Sequence, residues 1–420
     1  MTSTPARSAT EVDLTDRALY RSGIPHDVFT ELRAAGAVHR HRPVSVSGAH
    51  DVEFWSVVAH AEAQQANRDG ETFTAVDGPG IVPTSLYRHS RMIVAMEPPE
   101  HTRIRRLISA GFTPQMVARL EADIERRSEV ILDDVIERGT DVIDFVSEIA
   151  YQLPMHVIAD IVGIPEADRP SVFTLTDRML RSVDPVSGAS AEERLRVQLE
   201  LYEYAQQLSK EKRTNPGDDI WTLLTTAEVV DDDGGRSMLT DTELDGFFTI
   251  LAVAGSETTR NALSQGILAL ADEPEQFAAL RRDPQLLPTA ADELLRWSSP
   301  VLMFGRTATR DVELGGASIR AGERIVIWYP SANRDDQVFS DPFRFDVRRS
   351  PNPHVAFGGG GAHYCLGANL ARKEIQVMLG SLAQRFAEIE IAGDPVWLGA
   401  GPVHNVGVSL DRLAVRLSPR

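Results

Sequence analysis

The only cysteine of the chain lies in a glycine-rich loop with the sequence Phe-Gly-Gly-Gly-Gly-Ala-His-Tyr-Cys-Leu-Gly, residues 357–367. Consecutive glycines can take positive φ angles and let a bulky planar group come close to the backbone. A helical pattern follows from Leu366 to about Phe386, so Cys365 lies near a helix N-terminus, where free N–H groups and the helix dipole stabilise a thiolate. Such a thiolate could bind a metal ion. A small buried side chain after a glycine hairpin is the ordinary alternative for a lone cysteine.

A second group of reactive side chains is the segment Ala-Gly-Ser-Glu-Thr-Thr, residues 254–259, within a long helical pattern. Glu257 beside Thr258 places a carboxylate next to a hydroxyl, a pair that could deliver protons to a bound ligand. Gly255 costs roughly 1 kcal/mol in a helix interior relative to Ala, and it would let that ligand approach the backbone. The alternative is that Thr258 donates a hydrogen bond to a carbonyl of its own helix.

Two further pairs of charged residues each have a spacing that places both side chains on one face of a predicted helix. His101 and Arg105 are four residues apart, so the two donors could clamp a carboxylate, although a solvated basic face has the same spacing. Glu293 and Arg296 are three residues apart and can form an ion pair. Most pairs with this spacing lie on the surface and contribute little stability.

Long helical patterns after about residue 95 provide the elements that position these residues. The most distinct pattern begins at the capping-box sequence of Thr240 and Glu243 and runs to Ala271, and Pro274 prevents its continuation. Short strand-like stretches lie at residues 55–60, 324–329 and 408–417. The strands and helices do not alternate as they would in a doubly wound sheet, so that fold is not predicted.

This balance of elements predicts a mainly α fold with a small β region, with a flexible tail at residues 1–13 and a single domain at residues 14–420.

The 420 residues carry a formal net charge of −18, which argues against nucleic-acid binding. The sequence contains no run of eighteen or more apolar residues, so no membrane span is predicted. The single cysteine excludes an intramolecular disulfide and fits a reducing cytoplasm, where we expect the protein.

The cysteine loop resembles the haem-binding loop of cytochrome P450, in which Phe, a glycine-rich spacer, a basic residue, any residue, Cys, any residue and Gly follow in order. His363 fills the basic position and Gly367 the final one, while the stretch from Phe357 to Cys365 is one residue longer than the usual family spacing. The lengthened loop and the Leu-Gly-Ala-Asn-Leu-Ala-Arg that follows are similar to a subset of actinobacterial members that hydroxylate sterol side chains and branched lipids.

Other motifs resemble the family in the same chain order. The resemblance implies that Glu257 is the acid and Thr258 the alcohol of the oxygen-activation element. It also implies a set of residues that contact the haem, with Cys365 as the axial iron ligand. These residues are His101, Arg105, Ala254, Gly255, Arg306, Phe357, His363, Cys365 and Gly367.

Two more groups of residues are carried over by family position. In the first, Arg344 completes the pair of Glu293 and Arg296 as a buried structural triad. The second is an apolar substrate pocket, which suits a lipid, sterol or terpenoid. Its lining residues are Val82, Leu86, Phe248, Val253, Val301, Leu302 and Phe304.

The implied activity is a monooxygenase that binds haem b, splits dioxygen and inserts one oxygen atom into an apolar substrate. The sequence lacks the Gly-x-Gly-x-x-Gly motif of a dinucleotide site. The electrons would therefore come from a ferredoxin and its NAD(P)H-dependent reductase. A basic surface could bind the ferredoxin, although solvated surface charge is an equal alternative. Its candidate residues are Arg103, Arg106, Arg372 and Lys373. The rival hypotheses are a peroxygenase driven by hydrogen peroxide and a non-enzymatic haem sensor or carrier.

Overall fold

A 32-residue helix, Asp241–Asp272, is the longest element of the computed structural model. At 1.5 Å per residue it is about 48 Å long, so it has to cross the core, and most of its residues are buried. The side chain of Thr240 accepts a hydrogen bond from the N–H of Glu243, whose carboxylate accepts one from the N–H of Thr240. The predicted capping box is confirmed.

The structure describes residues 12–46, 50–84, 87, 92–109, 112, 114–139, 141–182, 189–230, 235–398 and 407–420. Helices account for the larger part of these residues. They are α1 (His26–Ala35), α2 (His60–Arg68), α3 (Glu100–Ser109), α4 (Pro114–Arg138), α5 (Gln152–Val162), α6 (Arg169–Ser182), α7 (Ala191–Thr214), α8 (Ile220–Thr226), α9 (Asp241–Asp272), α10 (Pro274–Arg282), α11 (Leu287–Ser298), α12 (Tyr329–Ala332) and α13 (Ala368–Arg385).

The strands are short and form small sheets. They are β1 (Val38–Val46), β2 (His50–Val57), β3 (Phe73–Thr74), β4 (Ile143–Asp144), β5 (Val229–Val230), β6 (Arg236–Ser237), β7 (Met303–Ala308), β8 (Val312–Leu314), β9 (Ala317–Ile319), β10 (Arg324–Trp328), β11 (Phe386–Ile391), β12 (Val396–Leu398), β13 (Ser409–Arg412) and β14 (Ala414–Pro419). The largest sheet has five strands in the order β1-β2-β10-β7-β3, and its β2–β10 pair is parallel.

Three clusters of buried apolar residues hold these elements together. The main cluster joins the helices and reaches from Met96 to Val415. The other two cover opposite faces of the five-stranded sheet, as expected from the alternation of side chains along a strand. Leu14, near the beginning of the described chain, belongs to the same cluster as Val408, so two segments distant in sequence pack on one face of this sheet.

The predicted fold class, mainly α with a small β region, is confirmed. Element boundaries differ by a few residues: the helix after the cysteine begins at Ala368, and the first predicted strand ends at Val57 because α2 begins at His60. Residues 1–11 of the predicted tail lie outside the described residues. In the remaining part, Val12 packs against the sheet and Asp13 accepts hydrogen bonds from Thr15, so the packed chain begins before residue 14.

Candidate haem site

Four successive glycines shape the loop that presents the cysteine. Gly358, Gly359, Gly360 and Gly361 have φ angles of 94°, 69°, 121° and 80°, which side chains rarely adopt. The loop also packs tightly on α2, because a Cβ added at Gly361 would lie 2.2 Å from the carbonyl oxygen of Asn67. The glycine run is therefore required by the backbone conformation and by the neighbouring helix.

Cys365 lies at the end of this loop, just before α13. Its N–H donates to the carbonyl of Phe357 over 3.0 Å, which closes the loop, and Gly367 is the N-cap of the helix. The thiol is accessible to solvent, yet burial raises its pKa, as expected for a group that lines an internal cavity. The N–H of Gly367 and the charge of Arg105 oppose that rise and favour the thiolate.

Two histidines and an arginine surround the cysteine on the α3 side. The rings of His101 and His363 lie 4.5 Å apart between centroids, and the Nε2 atoms of both are buried without a hydrogen-bond partner. Arg105 donates to the carbonyl of Tyr364, next to the cysteine. Burial, with the neighbouring His363 and Arg105, lowers the pKa of His101 to about 4. Without a bound anion, His101 is therefore a neutral donor, and a bound anion would favour its protonation.

Arg306, on β7, is the third donor of this region and is buried with 3% of its surface exposed. Its recorded hydrogen bond goes from Nη1 to the carbonyl of Gly305, 2.9 Å away, and its guanidinium lies 5.8 Å from the ring centroid of Phe304. Within the described residues, no carboxylate forms an ion pair with it. Burial lowers its pKa. A buried guanidinium with spare donors is suited to binding a carboxylate.

Glu97 was missed in the sequence, although it lies just before His101. Its carboxylate accepts hydrogen bonds from the hydroxyl of Thr74 and the N–H of Ala75, and lies 3.8 Å from Nε2 of His363. Burial alone would raise the pKa of Glu97, but these contacts outweigh burial and lower it. The only signal in the sequence was an acidic residue beside a predicted anion-binding helix.

The middle of α9 presents one small side chain to open space. Ala254 is exposed although this helix is otherwise largely buried, and Leu251 and Thr258, on the same face, are partly exposed. The hydroxyl of Thr258 donates to the carbonyl of Ala254 over 2.8 Å, the alternative considered from the sequence. A threonine hydroxyl has one proton and two lone pairs, so Thr258 still has acceptor capacity towards that space.

Gly255 does not have the role predicted for it. A Cβ at this position would lie 2.6 Å from Cδ1 of Ile158 on α5. The missing side chain therefore allows close packing of α9 on α5, and it is Ala254 that faces the open space. The prediction that Gly255 admits a ligand to the backbone is wrong, because the phase of the helix turns it towards α5.

Glu257 lies beside this exposed face and has 9% of its surface exposed. Its Oε1 accepts a hydrogen bond from the hydroxyl of Ser409, 3.1 Å away on β13. Ser409 was not predicted from the sequence, because a single serine in a short strand is not a recognisable pattern.

Glu293 and Arg296 form the predicted buried ion pair, with both side chains fully buried and two hydrogen bonds of 2.7 Å between them. The third member is Arg349 rather than Arg344, and the prediction of Arg344 is wrong. Arg349 donates from Nε to both oxygens of Glu293, over 3.2 and 3.1 Å. Arg344 is exposed and contributes only its main-chain carbonyl, which accepts from Arg296 and Arg349.

The predicted apolar pocket residues have different environments. Phe248 and Leu302 are core residues with 2% and 0% exposure, and Phe248 packs edge-on against Trp221. Phe248 lines a small internal pocket together with Leu251, and the roles of Phe248 and Leu302 in a substrate pocket stay predictions. Val253, Val301 and Phe304 are partly exposed. The last two residues of the set differ again: Val82 lines an open surface cleft of about 430 Å³ with Trp55, and Leu86 lies outside the described residues.

Three of the four predicted docking cations already have acidic partners. Arg103 pairs with Glu243, Arg372 with Asp292 over 2.7 Å, and Lys373 with Glu121 over 2.8 Å. Arg372 also lies 4.6 Å from the ring centroid of Phe357 in the cysteine loop, which ties it to the loop. Arg106 is exposed. The four residues are therefore not a set of free surface charges.

These features together fit a haem group. The Cys365 thiol is accessible, Ala254 is exposed in the middle of a largely buried helix, and His101, Arg306 and His363 retain unused donor atoms. Cys365 would supply the thiolate that holds the iron, while the other three residues would bind the anionic propionate groups. The residues present thus define the class of haem-thiolate proteins.

Comparisons with known proteins agree with this class. Residues 56–396 match the profile of the family described as cytochrome P450. The chain is 37% identical to a steroid C26-monooxygenase of Mycobacterium bovis, over 94% of this chain and 90% of the relative. It is 38% identical to a methyl-branched lipid omega-hydroxylase of the same species, over 84% and 82%. The chain belongs to the cytochrome P450 family and is a monooxygenase.

A solved structure shows the same architecture. The structure of a Mycobacterium marinum cytochrome P450 in complex with pseudoionone superposes with a TM-score of 0.88 at 39% identity, and the match covers 98% of this chain and all of that chain. No helix in the described part of the chain is long and apolar enough to span a membrane.

Proposed function

We propose that this monooxygenase uses haem b to hydroxylate the hydrocarbon part of a lipid, sterol or terpenoid. The observation that carries the proposal is that Cys365 and Ala254 are exposed although α9 is otherwise largely buried, which we take to mark the two sides of one cavity. The relatives support the substrate class, because one is named as a steroid C26-monooxygenase and another as a methyl-branched lipid omega-hydroxylase. The partly exposed candidates for the lining of this cavity are Leu251, Val253, Val301 and Phe304, none of which is charged, so an apolar chain can enter without desolvating an ion.

When bound, the haem supplies the iron at which dioxygen takes up two electrons and two protons, so that one oxygen atom enters the substrate and the other leaves as water. The protein has to hold the group, admit the substrate and deliver protons. Cys365 would hold the iron, while His101, Arg306 and His363 would bind the propionates. Charge-assisted bonds to buried donors are strong, because little water competes for them.

Thr258 and Glu257 are proposed to deliver the protons. The Thr258 hydroxyl gives its only proton to the carbonyl of Ala254, so its oxygen acts as an acceptor towards the cavity. It can therefore fix a water molecule or a protonated reactant in place. Glu257 is largely buried and bonded to Ser409, and it is proposed to pass protons from the interior towards Thr258.

The electrons are proposed to come from a ferredoxin and its NAD(P)H-dependent reductase. The acidic net charge of −18 does not prevent docking, because local charge decides association. Arg106 is exposed, whereas Arg103, Arg372 and Lys373 are partly buried, so Arg106 is the most accessible of the four candidates for a contact. We further propose that residues 14–420 act as one haem domain in the cytoplasm, where a single cysteine remains reduced.

Substrate binding and turnover test the proposal separately. The purified haem protein is titrated with sterols, methyl-branched fatty acids and terpenoids while the Soret band is followed. Compounds that shift the band are then incubated with NADH, ferredoxin, reductase and ¹⁸O₂. We expect a hydroxylated product that contains one ¹⁸O atom. Product formed with hydrogen peroxide alone, and none with the electron-transfer proteins, would support a peroxygenase instead.

A further inference from the structure

The proton-delivering acid of α9 is held by a residue from a distant strand. Ser409 lies on β13 with 1% of its surface exposed, and its Oγ lies 3.1 Å from Oε1 of Glu257 and 2.8 Å from Nδ2 of Asn261. Asn261 is likewise buried, with 1% exposed. The three side chains form a buried chain of hydrogen bonds between the helix and the strand.

The number of protons fixes the direction of these bonds. The amide nitrogen of Asn261 can only donate, so the oxygen of Ser409 accepts from it. The one hydroxyl proton of Ser409 is then available for Glu257, which accepts it at Oε1. The hydroxyl of Ser409 thus contributes a directed, buried hydrogen bond to the Glu257 carboxylate.

The strand segment that carries Ser409 is fixed to α9 at several points. Gln265, four residues after Asn261 and on the same face, donates to the carbonyl of Val408 over 3.0 Å. Gly407 packs so closely that an added Cβ would lie 3.0 Å from the carbonyl oxygen of Pro300 and 3.7 Å from Oε1 of Glu257. Ser409 itself is paired with Leu398 across the β12–β13 ladder. The hydroxyl of Ser409 therefore contacts Glu257 from a strand segment that is itself fixed to α9 and to β12.

We propose that Ser409 is the positioning residue of the proton-delivery system, because its hydroxyl holds the Glu257 carboxylate in the conformation that serves Thr258. This inference rests on the proposed role of Glu257. Ser409 does not touch the reacting groups, and it acts only through the acid. Loss of its hydroxyl leaves haem binding and substrate binding in place and makes proton delivery slower or mistimed.

The test compares Ser409→Ala with Ser264→Ala as the matched control. Ser264 is also a buried serine with 0% exposure, but its hydroxyl donates to the carbonyl of Arg260 within its own helix. Ser409→Thr restores the hydroxyl. If Ser409→Ala loses haem, Ser409→Cys takes its place, because a thiol fills similar volume and is a weak donor.

Four quantities are measured for each haem-loaded variant: product per NADH, hydrogen peroxide per NADH, the ratio of product formation in H₂O and D₂O, and product formed with iodosylbenzene. Iodosylbenzene donates an oxygen atom without requiring protons or electrons. We expect Ser409→Ala to release about three to tenfold more peroxide per NADH, the scale of one lost hydrogen bond, with a larger solvent isotope effect and unchanged iodosylbenzene turnover. A crystal structure of the haem-free variant should show the Glu257 carboxylate displaced.

Each outcome decides one question. The inference fails if Ser409→Ala keeps the wild-type peroxide ratio and isotope effect, if Ser264→Ala loses as much coupling, or if Ser409→Thr binds haem without recovering coupling. A fall in iodosylbenzene turnover equal to the fall in NADH-driven turnover also overturns it, because the defect then lies outside proton delivery. The proposed function fails separately, when wild-type protein lacks the thiolate carbon monoxide band or makes no product with the electron-transfer proteins.

Discussion

Nε of Arg349 lies 3.1 Å from the carboxylate Oε2 of Glu293, within hydrogen-bond reach of a carboxylate that is fully buried. Glu293 also pairs with Arg296 and accepts hydrogen bonds from the N–H of Asp346 and the side chain of Asn352. The carboxylate therefore has enough partners to offset its desolvation, which is the condition under which a buried charge is tolerated.

Removal of Arg349 should destabilise the protein, whereas removal of Arg344 should not. Arg349→Ala takes away a charged partner and is expected to cost on the order of 2 kcal/mol. Arg344→Ala keeps the main-chain carbonyl through which Arg344 acts, so its effect should lie within about 0.5 kcal/mol. Thermal unfolding of both haem-loaded variants measures the difference. Equal losses would show that the Arg344 side chain does contribute.

The central pair should be still more sensitive. Glu293→Ala leaves the fully buried Arg296 without its carboxylate, and the loss of one partner of such a pair costs about 3–5 kcal/mol. Because net stability is typically about 5–15 kcal/mol, we expect little soluble haem protein. The yield of protein with bound haem is the measurement. A variant that binds haem and melts like wild type would contradict the buried pair.

Cys365→Ser should abolish the thiolate signature without removing the fold. Serine has nearly the same size, but its alkoxide is not formed at neutral pH, and the chain contains no other cysteine. The reduced wild-type protein with carbon monoxide should absorb at the long wavelength typical of thiolate ligation. The serine variant should lack that band while its far-ultraviolet circular dichroism is retained. Persistence of the band would disprove thiolate ligation by Cys365.

Arg306→Gln should weaken haem retention. The buried guanidinium has no carboxylate partner among the described residues, so its charge is free to bind a propionate. Loss of one charge-assisted bond, worth about 1.5–3 kcal/mol, predicts roughly a tenfold or greater increase in the rate of haem transfer to apomyoglobin. Arg310→Gln is the control, because Arg310 is exposed and bonds to the hydroxyl of Thr72. Equal transfer rates in the two variants would place the propionates elsewhere.

Thr258→Ala should still consume NADH but waste the electrons. The change removes the acceptor oxygen that faces the cavity and leaves the helix carbonyl of Ala254 in place. General acid catalysis is typically worth about 10²–10⁴-fold, so product per NADH should fall clearly while hydrogen peroxide rises. Thr258→Ser keeps the oxygen and should retain most of the coupling. An unchanged ratio in the alanine variant would mean that protons arrive by another path.

Local signals account for the parts that the sequence predicted well. Thr240 and Glu243 specify a helix start by their own hydrogen bonds, so the beginning of α9 could be predicted to the residue. The glycine run before Cys365 specifies positive φ angles, and no partner from the rest of the chain is needed to infer them. Features that depend only on residues close together in the chain can therefore be predicted from the sequence.

Features that depend on distant packing were missed. The choice between Arg344 and Arg349 is set by the path of an irregular segment in which Asp341 has a φ of 47°, and no periodicity describes that path. Ser409 is 152 residues from Glu257 in the chain, so their contact follows only from the docking of β13 on α9. The orientation of Gly255 depends on the rotation of α9 relative to α5, which a single-helix pattern does not fix.

One buried carboxyl group makes the stability of the protein depend on pH. Glu374 on α13 has 2% of its surface exposed, and its Oε2 is buried without a hydrogen-bond partner. Burial raises the pKa of Glu374 from 4.5 to about 8, although a hydrogen bond with Thr259 of α9 acts in the opposite direction. The folded protein therefore keeps a proton on this group at neutral pH, whereas the unfolded chain has lost it.

Glu374→Gln should consequently stabilise the protein at neutral and mildly alkaline pH. Between about pH 4.5 and 8, ionisation of Glu374 lowers the free energy of the unfolded state but not that of the folded state. The stabilisation that the protonated group provides is therefore complete below about pH 4.5 and is lost as the pH rises through about 8. The slope is about 1.4 kcal/mol per pH unit for one group. Glutamine cannot ionise and escapes this loss. Melting temperatures of the two proteins should be similar near pH 5 and should separate progressively in favour of the variant up to pH 8. A difference that does not change with pH would show that Glu374 is ionised in the folded protein.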